Sequence, residues 1–359
     1  MIAMPTIAPG CEQQCGAPGA LYDQYADAYQ AAVASVGCIS RSYCIAGYAV
    51  RLVFAGQALE PLLTPALAHL AQPNDTPPDL TLHLWDSAST GFAPPRPWTA
   101  ADIDLRGELP TFSDGAILTA IQTDVNAVSI LDQQRSCGFY WIDSPASLRA
   151  YERAAPLKVL LHWWLRARGR TLIHAGAVGT DDGAVLFVGK TGAGKSTTTL
   201  ACLNAGLRYL GDDRCLLTLA PTPQVACLYN SAKLHLMQME RFPALLPAVN
   251  NRHETATEKA LIYLQDLAPE RIAPVLPIRA LLLTKIAGTT TTSLAPVGRM
   301  TLLRDFVTST LVYQPGATHA EVHSMTELVR QVPCYQLNLG SDLTGIAPVV
   351  VQAIEKGAP

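Results

Sequence analysis

Nine consecutive residues, Gly189-Lys190-Thr191-Gly192-Ala193-Gly194-Lys195-Ser196-Thr197, constrain this chain more than any other segment. They fit the pattern G-x-x-x-x-G-K-[ST], whose glycines let successive backbone N–H groups turn inward around anionic oxygens. An apolar run, Ala184-Val185-Leu186-Phe187-Val188, precedes them and reads as a buried strand. The residues after the loop, Ser196 to Ala205, read as a helix stopped by Gly206. Strand, glycine loop and helix together make a phosphate cradle, with the positive end of the helix dipole at its base. In such a cradle Lys195 reaches the β- and γ-phosphates and the Ser196 hydroxyl ligates Mg²⁺. The segment therefore predicts a nucleoside triphosphate, ATP, bound with Mg²⁺. It does not say where the γ-phosphate goes.

Two flanking segments narrow the chemistry. Downstream, Arg208 to Leu217 reads as two short strands broken at Gly211-Asp212-Asp213, and Asp213 lies 18 positions after Lys195. One helix and one strand return the chain to the carboxyl edge of a parallel sheet, where ligands bind in such folds. Of two adjacent carboxylates there, one could hold Mg²⁺ or its water and the other could take a proton from an attacking hydroxyl. An Asx turn between strands is the plainer alternative. Upstream, Leu172 to Val178 reads as a further strand, with His174 lying 21 positions before Lys195 and a hairpin turn at Gly179 to Gly183.

Together, the His174-Ala175-Gly176-Ala177-Val178 strand, the loop from Gly189 to Ser196 and the stretch from Gly206 to Asp213 resemble the HPr kinase/phosphorylase family of bacterial serine kinases. The likeness covers about residues 170 to 300. It looks closest to the divergent HPr-kinase-like branch found in peptide biosynthetic clusters, lasso peptide clusters included. Tyr209 to Asp213, Leu228 to Leu234 and Leu276 to Ala280 carry that finer likeness. The resemblance implies an α/β, phosphate-loop-containing, HPr-kinase-like C-terminal domain acting on a serine of a peptide or small protein. It implies that Asp213 accepts the serine proton, that His174 assists phosphate chemistry, and that Asp212 supports the site and, with Ser196, the metal. It also implies self-association, since the parent family forms hexamers. Two features depart from the family. The region matching its metal-binding glutamate, Leu228 to Leu236, has no acid, with Glu240 a loose substitute, and the loop for the reverse, phosphorolytic reaction has no counterpart. Forward transfer is thus favoured, and HPr itself is a poor expectation as substrate. Arg279 is the candidate cation for the transferring phosphoryl group, with Lys233 a weaker one.

At 359 residues the chain has room for two domains. Residues 1–150 read as a smaller α+β domain without a catalytic constellation, and 151–359 as the phosphate-loop domain. In the first, a helix is expected over Leu21 to Val36, strands over Tyr43 to Ala55, Leu80 to Trp85, Gly115 to Ile130 and Gly138 to Ile142, and a helix over Ala58 to Ala71. A helical stretch from Ala146 to Arg168, broken at Pro156, joins the halves, with Trp163 and Trp164 read as packing residues. In the second, strands are expected at Ile278 to Leu283 and Cys334 to Leu339, and helices near Met300 to Leu311 and Met325 to Gln331. Asn250 to Glu258 reads as a polar loop, and residues 1 to about 18 as a loose leader. A net charge of −3 gives no electrostatic case for nucleic acid. Apolar runs are far too short to cross a bilayer, and the first ten residues lack a secretory pattern. Nine scattered cysteines fit a reducing cytoplasm better than a disulfide or zinc framework. The competing readings are an ATP-driven or ATP-sensing regulatory module and a kinase of a free metabolite. No transporter-type Leu-Ser-Gly-Gly-Gln segment is present to support the first.

Overall fold

The computed structural model describes residues 18–312 and 314–357. The expected leader, with Cys11 and Cys15, lies outside the described residues. The fold is mixed α/β with several sheets, and two large ones dominate.

The first is a seven-stranded mixed sheet built from residues 38 to 142. Along Leu80–Asp86 the pleat sends Leu80, Leu82 and Leu84 to one face and Trp85 to the other. The helix Pro18–Val36 covers the Trp85 face with Tyr22, Tyr25 and Tyr29. The other face packs on Leu160, Leu161 and Trp164 of the helix Lys158–Arg166.

The second sheet has nine strands and carries the glycine-rich segment from 189 to 197 at the end of the strand Gly183–Val188. The strand Gly183–Val188 pairs parallel with the long strand Val275–Ile286, which in turn pairs parallel with Cys334–Leu339. The helices Lys195–Asn204 and Ile346–Lys356 share a core on one side. Arg299–Leu311 and His319–Gln331 pack on the other. The core that includes Leu160 and Trp164 also takes in Leu172, Leu216 and Tyr229, so apolar packing runs without a break between the two sheets.

Several sequence expectations are corrected. The single strand over Tyr43 to Ala55 is a hairpin, Cys38–Ile45 with Tyr48–Ala55. Its turn puts both Ala46 and Gly47 at positive φ, which the usual Asn-Gly signal would have announced and Ala-Gly does not. Gly115 to Ile130 is likewise two strands, Ile117–Gln122 and Ala127–Asp132. Ala58 to Ala71 forms only a short helix, Glu60–Leu63, and a 3₁₀ segment, Pro65–Leu70, because Pro65 cannot continue an α-helix. The Asn250 to Glu258 loop is tied down. Asn251 is fully buried and bonds Lys259 and Leu261, while Glu254 and Glu258 pair with Arg153 and Arg149. The sheet edge beside the glycine-rich loop is not parallel. Gly176–Thr180 runs antiparallel between Gly183–Val188 and Arg208–Gly211.

Candidate active site

The strand expected over Leu172 to Val178 breaks at His174-Ala175. Thr171–Ile173 pairs with Cys215–Thr218, whereas Gly176–Thr180 pairs with Arg208–Gly211. The paired segment breaks at the matching place, Asp212 to Arg214. Both backbones leave the ladder together, so their side chains at the break face each other instead of alternating across a sheet. That brings His174 Nε2 to 3.0 Å from Asp213 Oδ1. His174 Nδ1 lies 2.9 Å from the Ser309 carbonyl, so both ring nitrogens face acceptors. A ring protonated at both nitrogens donates to both.

Lys233, on the strand Ser231–Leu234, completes the cluster with Nζ 3.3 Å from Asp213 Oδ2. Burial raises the Asp213 titration, but Lys233, His174 and Arg214 more than offset it and hold the carboxyl well below the usual carboxylate range. The side chain remains about one third open to solvent (34%). Asp212 behaves oppositely. It is buried, and desolvation raises its titration even though the Lys233 amide, 2.9 Å from Oδ2, and the Ser196 hydroxyl favour the charged form. Its other oxygen, Oδ1, is buried with no hydrogen-bond partner.

Residues 189 to 194 turn tightly between the strand Gly183–Val188 and the helix Lys195–Asn204. Gly194 has φ 94°, and a Cβ there would sit 2.5 Å from Leu339 Cδ1, so both conformation and space demand glycine. Lys195 is buried and donates to Gly189 O at 2.7 Å and Lys190 O at 3.2 Å. Burial pushes its titration down, against the carboxylates of Asp213 and Asp212. Among the described residues only the Ala193 amide of the loop finds a backbone acceptor outside the helix, Lys190 O. Gly176 brings helix and strand together: a Cβ there would lie 2.5 Å from Thr199 Oγ1.

This geometry has an oxygen pair suited to a hard cation, the Ser196 hydroxyl and the orphaned Asp212 Oδ1. Among the described residues no group of three or more His, Cys, Asp or Glu side chains could form a metal cage. A cation here would need further oxygens from a ligand, as Mg²⁺ usually takes from phosphates.

The structure does not bring Arg279 to the loop. It lies on Val275–Ile286 next to Ile278, the partner of Ala184, and donates to Asp182 O at 2.7 Å. Four residues of strand separate it from Leu283, which pairs with Val188, so it sits roughly 13 Å away, at the opposite edge. Glu240 is exposed at the end of a short helix. Lys233, the lesser basic candidate, is the one in the cluster.

A cleft of about 540 Å³ opens beside these groups. His174, Thr191 and Asp213 line one side; Asp124, Tyr151 and Lys158 line the other. A second hollow of about 350 Å³, around Thr180, Gly206 and Arg271, holds none of the expected site residues. The contribution from residues 103 to 124 was invisible in sequence, because it arises where the first sheet meets the second. Arg214 was also passed over, although its place directly after Asp213 was a usable signal.

No family model matches the chain, and no curated protein matches it. Among solved structures it is similar to the HPr(Ser) kinase/phosphatase from Coxiella burnetii, with 15% identity and a TM-score of 0.23. The match covers 32% of this chain and 64% of that one, so the chain spans less than two thirds of its length. A likeness at that level carries no conclusion about fold or activity.

Proposed function

We propose that the chain is an ATP- and Mg²⁺-dependent phosphotransferase with a phosphate-loop, HPr-kinase-like catalytic half, transferring the γ-phosphate to a serine hydroxyl of a peptide or small protein. A lasso-type precursor peptide is the first acceptor to try. The observation that carries this reading is the Asp213 carboxylate, ionised and oriented by His174 and Lys233, in a cleft it shares with Thr191 of the phosphate loop.

In this reading the loop amides and Lys195 hold the triphosphate. Ser196 and Asp212 would hold Mg²⁺, which would supply charge neutralisation to the phosphates. The acceptor oxygen forms a bond to the γ-phosphorus. The bond from that phosphorus to the β–γ bridging oxygen breaks, and ADP leaves with the electron pair. The hydroxyl proton passes to Asp213. A carboxylate held so far below its usual range is a weak base at equilibrium. That suffices for a loose transition state, in which the proton moves late and orientation of the nucleophile matters most.

The test is Asp213→Asn. It should lower γ-phosphate transfer from labelled ATP, read by acceptor mass shift, by about 10²-fold or more while ADP affinity stays near native. Equal loss of ADP affinity would contradict the role. The cleft volume suits a small ligand as well as a peptide end. The assay therefore includes a serine-containing metabolite set, the second reading for the acceptor.

A further inference from the structure

Arg214 is 7% exposed and lines the cleft beside His174, Thr191 and Asp213. Its Nε is buried without a partner, and among the described residues the one hydrogen bond of its guanidinium runs from Nη1 to Gln314 Oε1 at 3.2 Å. No carboxylate there forms an ion pair with it. Asp213 lies near enough to feel its charge but not to bond it, and a buried guanidinium with an unpartnered Nε leaves a donor that an anionic ligand can take up.

The group that holds it is itself held. Gln314 Nε2 lies 2.6 Å from His162 Nδ1 and 3.3 Å from Leu172 O, so the amide donates there and its oxygen is left to face Arg214. His162 is 1% exposed, and burial, aided by the charges of Arg166 and Arg214, pushes its titration down to about 3. The neutral ring accepts at Nδ1 and carries its proton on Nε2, which faces Glu321 Oε1 at 3.4 Å. Glu321 is pinned in turn, its Oε2 accepting from Thr318 N and Oγ1 at the start of the helix His319–Gln331. The segment after Gln314 is clamped to the same helix as His162. Trp163 donates to Pro315 O, Arg166 to Gly316 O, and a Cβ on Gly316 would meet Trp163 Nε1 at 2.2 Å.

We propose that Arg214 is the cation that contacts the γ-phosphoryl oxygens as they are transferred, and that Gln314 and His162 are positioning residues that aim it. This rests on the phosphotransferase reading above and replaces Arg279 in the role expected of it. Lys195 grips the triphosphate from the loop side. Arg214 meets the three equatorial oxygens, over which charge is spread in flight, from the Asp213 side.

The experiment is calorimetric titration of the full chain with Mg²⁺ and ADP, with and without aluminium fluoride, which mimics the phosphoryl group in flight. The native chain should bind ADP markedly tighter with fluoride present. Arg214→Gln should lose about 10²-fold of that gain with plain ADP affinity unchanged. Gln314→Leu should lose part of it, which a role confined to stability would not produce. Arg214→Lys keeps the charge without the fork and should restore a fraction; it serves in place of Arg214→Gln if that variant fails to fold by circular dichroism. A full fluoride gain in Arg214→Gln, or no gain above a neutral side chain in a folded Arg214→Lys, overturns the assignment. No ADP binding by the native chain overturns the nucleotide reading beneath it, a separate and recognisable failure.

Discussion

The two walls of the cleft are built on opposite principles. The wall from 174 to 214 is assembled from short, nearly contiguous segments whose backbones are dictated locally, by glycines, a helix start and a matched pair of strand breaks. The wall from 103 to 159 is assembled by packing. Asp124 and Tyr151, bonded to each other, come from a strand connection and a short helix brought together by the apolar layer between the sheets. A locally dictated wall can be read residue by residue for chemistry. A packed wall shows only where the chain leaves space.

Perturbing each wall separately tests that division. The largest effect is expected from Lys195→Ala, which removes the buried ammonium from the loop: nucleotide affinity, measured by calorimetry, should fall by about 10²-fold or more. If affinity survives, the first wall is not a phosphate site. Asp124→Asn neutralises a charge on the other wall and should raise acceptor KM a few-fold, about 1 kcal/mol, with ADP affinity untouched. A change in ADP affinity instead would erase the distinction between walls.

A smaller effect concerns pH. Asp212 titrates above its ordinary value in the fold, so the native state binds more protons than the unfolded one between those two values, and stability without metal falls as pH rises through that window. Mg²⁺ held by Asp212 would compete with that proton. The Mg²⁺-induced rise in Tm should therefore grow over the same window and flatten in Asp212→Asn. Asp213 has the opposite sign, contributing stability above the ordinary carboxylate range that is lost as pH falls through its depressed value. The smallest effect is expected at Arg279→Ala: no change in turnover, since its guanidinium caps the far turn at Asp182. A large loss of turnover there would restore it to the site.

Legibility followed contact range. The strand Cys334–Leu339, the loop helix and the break at Asp212-Asp213 stood close to where sequence patterns put them, because each depends on its own residues. The hairpin at Ala46-Gly47 was missed because its turn lacks the usual side chain. The Arg149–Glu258 and Arg153–Glu254 pairs that anchor Asn250 to Glu258 join residues about a hundred positions apart, which no local pattern encodes.

By itself the sequence determined the strand, glycine turn and helix start between residues 183 and 204, since positive φ at Gly192 and Gly194 and the helix that follows are local properties. It also determined that carboxylates follow one helix and one strand later. Which arginine reaches the cleft was decided by tertiary structure alone. Arg279 lies inside the strand Val275–Ile286 and Arg214 just before the strand Cys215–Thr218, and the pairing of Val275–Ile286 with Gly183–Val188 sends Arg279 to the far edge. The other is held at the cleft by Gln314, a hundred residues further along the chain.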